Sequence, residues 1–151
     1  TFGNLEQIHK EYERKMRMKI EGKCHCGKIS ITAEVDPNTA TACHCTDCQM
    51  FGGGPFRTVV VAKAESTQIE GDPKEYTKIA ESGNPRIQAF CGECGTSLYA
   101  TDLNKTVFNL RTGFLKQREE LIPKKHIFGD SSAKWLKDLD QHQWFPKTPQ
   151  K

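Results

Sequence analysis

The sequence predicts a mainly β domain of short antiparallel strands with few short helices, stabilised by bound zinc. Three observations predict it. Short segments alternate apolar and polar side chains with period two, as half-buried strands do. Turn-forming residues separate them every 8–12 residues or about that, without long helical patterns between. Seven cysteines fall into three tight clusters, too ordered for coincidence.

The elements follow in chain order. Residues 4–18 can be written as a short helix with Asn4 as N-cap and Leu5, Ile8, Tyr12 and Met16 along one stripe. The stripe is narrow and mostly flanked by charge, so residues 1–17 read as an N-terminal extension, either a packed helix or a leader. From Lys19 the pattern becomes β-like. Lys28–Val35 alternates with period two and ends at Asp36-Pro37-Asn38, while Phe56–Ala62 is a second, more apolar strand. Shorter strands are expected at Thr67–Glu70, Glu75–Ile79, Arg86–Phe90, Ser97–Ala100 and Thr106–Leu110. Gly71-Asp72-Pro73, Ser82-Gly83-Asn84-Pro85 and Asp102-Leu103-Asn104 are their turns. A turn or two of helix follows Thr46, and a second helix runs over 131–141 with Ala133, Trp135, Leu136 and Leu139 facing the core. Residues 18–146 form the expected zinc-binding domain, and 147–151 a disordered tail.

Composition narrows the function classes. At 151 residues the chain is one domain's worth. Twenty-two basic against nineteen acidic residues give +3, with both signs scattered. Arg14–Lys19 and Lys124-Lys125 are too short for a nucleic-acid footprint and read as solvated faces. Seven thiolates carrying two Zn²⁺ would bring that formal +3 to zero, which argues further against polyanion binding. Mean hydropathy is −0.66 and no run has the ~18 apolar residues of a membrane span. No secretory h-region stands at the N-terminus, and an odd cysteine count excludes a fully paired disulfide set. A reducing, cytoplasmic setting is the expectation.

The clusters are Cys24-His25-Cys26-Gly27, Cys43-His44-Cys45-Thr46-Asp47-Cys48 and Cys91-Gly92-Glu93-Cys94-Gly95. A C-x-C pair in an extended segment puts both sulfurs on one face, and His25 and His44 on the other. A C-x-x-C-G knuckle curls two sulfurs toward one point, its glycine free to take positive φ. Cys45–Cys48 alone could be a dithiol redox pair, but three clusters without a βαβ pattern favour metal. Forty-two residues separate Cys48 from Cys91, so an ordinary zinc ribbon, with its knuckles about 15–20 residues apart, does not fit.

Seven thiolates divide as four plus three: a closed structural site, and a site with one position open for water or substrate. Spacing does not fix the partition. The economical one gives Cys43, Cys45 and Cys48 to the open site and the two distant pairs to the closed one. Three thiolates overcompensate the metal's charge and weaken it as a Lewis acid, while leaving it soft enough to hold another sulfur. Thiol chemistry, rather than hydrolysis, is expected.

G-x-C-x-C-G (Gly22–Gly27), C-H-C-x-D-C (Cys43–Cys48) and F-C-x-x-C-G-x-x-L (Phe90–Leu98) together resemble the glutathione-dependent formaldehyde-activating enzyme (Gfa) family. Gly53, Phe56, Gly113-Phe114-Leu115, His126 and Ser131–Leu136 extend the likeness over roughly residues 18–146. The resemblance implies a β-tent fold with a structural zinc on Cys24, Cys26, Cys91 and Cys94, and a catalytic zinc on Cys43, Cys45 and Cys48. It implies a carbon–sulfur lyase that adds glutathione to formaldehyde. Gln49-Met50-Phe51 stands where members often carry basic residues.

Other residues have two readings each. Arg57 and Arg111 are candidate substrate-binding residues that could clamp a carboxylate, or else surface salt-bridge partners. His126 is a proton shuttle or a structural histidine, and His44 a fourth metal ligand or an outward-facing neighbour. Phe51, Phe56 and Tyr99 line a pocket or pack the core. The competing function classes are a non-catalytic zinc module that binds a macromolecule, and the same chemistry on another sulfur compound.

Overall fold

A computed structural model describes residues 3–149. Ten strands carry the fold: β1 Met18–Lys23, β2 Ser30–Val35, β3 Thr41–Cys43, β4 Arg57–Lys63, β5 Gln68–Glu70, β6 Lys74–Ile79, β7 Pro85–Phe90, β8 Ser97–Thr101, β9 Val107–Arg111 and β10 Lys125–Ile127. Among the described residues the α-helices are α1 (Leu5–Lys15) and α2 (Thr46–Gly52), and short 3-10 turns fill several connections. The sheet runs β1-β2-β4-β9-β8-β7-β6, with β5 on β2 and β3 on β4. Its pairings are antiparallel except β10, which lies parallel to β3. The class is the mainly β architecture expected.

Alternation decides where the core sits. Along β1 and β2 every second residue turns inward, so Ile20, Ile31, Ala33 and Val35 are buried while Lys19, Glu21, Thr32 and Glu34 meet water. Val60, Leu98, Leu110, Leu115 and Leu121 complete an apolar layer with essentially no exposed surface. Tyr99 belongs to it, edge-on to Phe108 with ring centroids 4.9 Å apart, so it packs the core. Gly22 sits where β1 meets the Phe114-Leu115 turn. A Cβ there would lie 2.5 Å from the Phe114 carbonyl oxygen, so only glycine admits the approach.

Two expectations are corrected. Residues 134–141 form 3-10 turns broken at Asp138, not an α-helix, and Trp135 is half exposed rather than core. The stretch is too short and too charged to bury a face. The Cys24–Cys26 pair occupies a tight turn, not an extended segment: the Gly27 amide donates to the Cys24 carbonyl and the Cys24 amide to that of Ile29. Lys125-His126-Ile127, for which no strand was expected, docks as β10. Helix α1 begins at the expected Asn4 cap, whose side chain accepts from the Glu6 amide, yet it buries no residue. Of the expected tail, residues 147–149 are exposed and form no helix or strand, and 150–151 lie outside the described residues.

Candidate functional site

The first thiol cluster is built from two hairpin turns. The β1–β2 turn presents Cys24 and Cys26, and the β7–β8 turn presents Cys91 and Cys94. In the second turn the Gly95 amide reaches back 2.8 Å to the Cys91 carbonyl, with Gly95 at φ +79°, the left-handed conformation that glycine tolerates best. The sulfurs of Cys24 and Cys26 are 3.6 Å apart, and those of Cys26 and Cys91 3.7 Å. Thiolates at ~2.3 Å from one tetrahedral zinc stand about 3.8 Å from each other, so the four thiols fit such an ion. The Thr96 hydroxyl, 3.2 Å from Cys94 Sγ, is the main reason that thiol is held down to about 5.

The triplet has a different construction. Cys43 ends β3, Cys45 is the N-cap of α2 and Cys48 lies in its first turn, donating its amide to Cys45 Sγ at 3.2 Å. Their sulfurs lie within 4.8 Å of one another. Burial pushes the Cys48 thiol up to about 12, with its sulfur neighbours adding to the shift, because three clustered thiols resist ionising together without a cation. A soft divalent ion meets that need, and three sulfurs leave it a further position. Asp47 ties α2 to β6 through Lys78 Nζ at 2.6 Å. Gln49 anchors the same helix by donating to the carbonyls of His44 and Ser131 at 2.9 and 3.0 Å.

His44 turns away from the sulfurs beside it. Its Nε2 lies 2.9 Å from Nδ1 of His126, and its ring packs 4.9 Å from that of Phe56. Among the described residues His44 is not in either thiol cluster, so the fourth-ligand reading is set aside. His126, for which the sequence offered no partner, has one. This pair locks β10 against the loop that carries the triplet.

The arginines are the larger surprise. Neither makes a surface salt bridge among the described residues, and each is more than nine-tenths buried. Arg57 faces Cys43 as its cross-strand neighbour on β4, and Arg111 lies one strand further, on β9 opposite Val59. Both guanidinium groups donate to one oxygen, Gln88 Oε1 on β7, at 2.9 and 3.0 Å. Phe51 lies under Arg57, with its ring centroid 5.4 Å from Cζ. Burial, then the charge of Arg57, push Arg111 down to about 9, with the Cys48 and Cys43 thiols opposing, so it remains cationic at neutral pH. Gln88 escaped sequence reasoning, although a polar residue amid Ile87, Ala89 and Phe90 was its signal.

Both arginines line a cavity of about 470 Å³ that also meets Lys23, His25, Phe56 and Thr96. Its walls come from the end of α2, the start of β4 and both turns of the four-thiol cluster. It has no acidic side chain in its lining. The triplet sulfurs do not line it directly; Arg57 and Arg111 connect the two. Two other depressions of about 490 and 550 Å³ carry mixed charge and touch neither cluster.

Fold and site define a β-sheet protein with two sets of cysteines able to hold metal ions, and a cationic cavity that the smaller set meets only through Arg57 and Arg111. The family model for the glutathione-dependent formaldehyde-activating enzyme matches residues 19–131, and the chain belongs to that family. It is 30% identical over 81 residues to an uncharacterized lyase of Schizosaccharomyces pombe, a match spanning 54% of this chain and 56% of that protein. A crystal structure of a Rhodobacter sphaeroides protein shares the fold, with TM-score 0.55 and 18% identity over 70% of this chain and 98% of that one. Among the described residues no helix is long and apolar enough to cross a membrane.

Proposed function

We propose that this family member is a zinc-dependent carbon–sulfur lyase, reversibly joining a thiol to formaldehyde or a related aldehyde. The family and the lyase relative support a lyase; glutathione is the thiol that the family description names. The observation that carries the reading is the three-sulfur cluster, which falls one ligand short of a closed tetrahedral set. Zinc held by Cys43, Cys45 and Cys48 would supply a soft position favouring a substrate sulfur as thiolate.

In the forward direction the thiol sulfur attacks the carbonyl carbon. One sulfur–carbon bond forms, the carbonyl π pair moves to oxygen, and the proton lost from sulfur ends on that oxygen. The chain's own residues bind and orient. Arg57 and Arg111 receive a carboxylate of the substrate. The His44–His126 contact and the two hydrogen bonds of Gln49 hold the triplet's loop and helix in place.

Cys45→Ser tests the reading. NMR of formaldehyde mixed with glutathione should show adduct formation faster with the zinc-loaded protein than without it. Cys45→Ser should lose that acceleration while keeping the fold and one of its two metals. Wild-type turnover in Cys45→Ser would overturn the mechanism. A second metal that never exchanges, with no acceleration at all, would assign a binding module instead.

A further inference from the structure

Two buried guanidinium groups with no carboxylate between them are an unusual arrangement. Buried cations are ordinarily paired, because removing them from water costs several kcal/mol or about that per ion. Arg57 and Arg111 instead share one neutral amide oxygen, and among the described residues the only other acceptor they reach is the Asn109 carbonyl, 3.5 Å from Arg111 Nη1. Nε of each is buried without a partner. Asp47, the acidic residue whose charge reaches Arg57, is already bound to Lys78. Glutamate at position 88 would be nearly isosteric and would quench the pair. Glutamine there fixes both forks while leaving their charge unspent.

From this we infer that Gln88, Arg57 and Arg111 form a receptor for an anionic group, and that Gln88 is its positioning residue. The ligand class is a small molecule bearing a carboxylate, lodged in the cavity that both arginines line. The lining favours it throughout: Lys23 and His25 add positive or donor groups, and Thr58 and Thr96 add hydroxyls, without one acidic side chain. Carboxylate is the match because a planar guanidinium fork presents parallel donors to two oxygens. As a statement about substrate, this rests on the lyase reading above; as a statement about anion binding, it stands on the geometry alone. The carboxylate could be carried by the thiol or by the aldehyde.

The experiment separates these points. The zinc-loaded protein is titrated with 3-(methylthio)propionate, a carboxylate with no free thiol, while the Nε–H signals of Arg57 and Arg111 are followed by ¹⁵N NMR. Both signals should shift saturably. Gln88→Glu, checked for an unchanged melting temperature and two bound metals, should bind at least about tenfold more weakly, since its own carboxylate occupies the fork. Gln88→Met, which keeps the pair cationic, should bind more tightly than Gln88→Glu. An absence of shift in the wild type, or equal binding by the two variants, would overturn the inference whether or not the protein is a lyase. Turnover then names the source. An advantage of 3-mercaptopropionate over 2-mercaptoethanol that vanishes in Gln88→Glu assigns the carboxylate to the thiol. An advantage of glyoxylate over formaldehyde that vanishes there assigns it to the aldehyde. No advantage for either acid would overturn the substrate assignment.

Discussion

Replacing Cys91 and Cys94 together with serine, which removes both thiols of the far turn, should destabilise the zinc-loaded protein by about 4 kcal/mol. Cys26 and Cys91 lie 65 residues apart in the chain, yet their sulfurs are 3.7 Å apart. A cross-link closing a loop of that length removes roughly 4 kcal/mol of chain entropy from the unfolded state at 25 °C. The triplet spans only Cys43 to Cys48, where the same relation gives about 2 kcal/mol. For a chain of this size those values become melting-temperature losses of about 10 °C and 5 °C. Thermal unfolding followed by circular dichroism, with metal counted by native mass spectrometry, measures both. The Cys91→Ser, Cys94→Ser double variant should lose one metal and melt well below Cys45→Ser. After exhaustive chelation, the double variant and wild type should converge. A double variant that melts no lower than Cys45→Ser, or still holds two metals, would refute the cross-link argument.

Two further outcomes test the frame around the site. Gly22→Ala should cost about 1–3 kcal/mol in chemical denaturation. The added methyl meets the Phe114 carbonyl oxygen at 2.5 Å and its ring at 2.8 Å, and the oxygen belongs to the backbone. A loss near zero would mean that β1 can move away. Asp102 accepts from the Thr106 amide and hydroxyl, both at 2.9 Å, and from the Val107 amide at 3.2 Å. Although burial raises its pKa, those hydrogen bonds more than offset the effect and hold it down to about 2. The folded value lies below the unfolded one, so the carboxylate stabilises fully above about pH 4, and that contribution is lost as pH falls toward 2. The midpoint difference between wild type and Asp102→Asn in urea should therefore be largest near pH 6 and close at low pH. A gap that ignores pH would exclude the charge as its cause.

Much of the fold was legible because its signals are local. The strands at Lys28–Val35 and Phe56–Ala62 announce themselves by alternation, and Gly95 by following a C-x-x-C pair; the structure places β2, β4 and the Cys91–Cys94 turn there. The thiol sets were legible for the same reason, since each half comes from one short segment. What escaped depends on distant pairing. Lys125-His126-Ile127 has no strand pattern, and becomes β10 only because β3 offers it an edge. Arg57 and Arg111 look like surface residues until β4 and β9 close over them. Gln88 lies 31 positions from Arg57 and 23 from Arg111, so its role exists only in the assembled sheet. Trp135 failed in the opposite sense. Its helical spacing suggested burial, but the segment forms 3-10 turns that half-bury Leu136 and Leu139 and leave Trp135 half exposed.

The thiols and the cation pair occupy different kinds of structure. Six of the seven cysteines sit in turns, in helix α2 or at its cap, and the seventh, Cys43, ends a strand. Arg57, Arg111 and Gln88 are strand residues held by the sheet's register. A side chain exchanged at position 88 thus alters the charge presented to the cavity without displacing a single sulfur. On the proposed reading, selectivity and metal capture would be separately mutable. One scaffold would then change the acids it accepts with both thiol sets unaltered.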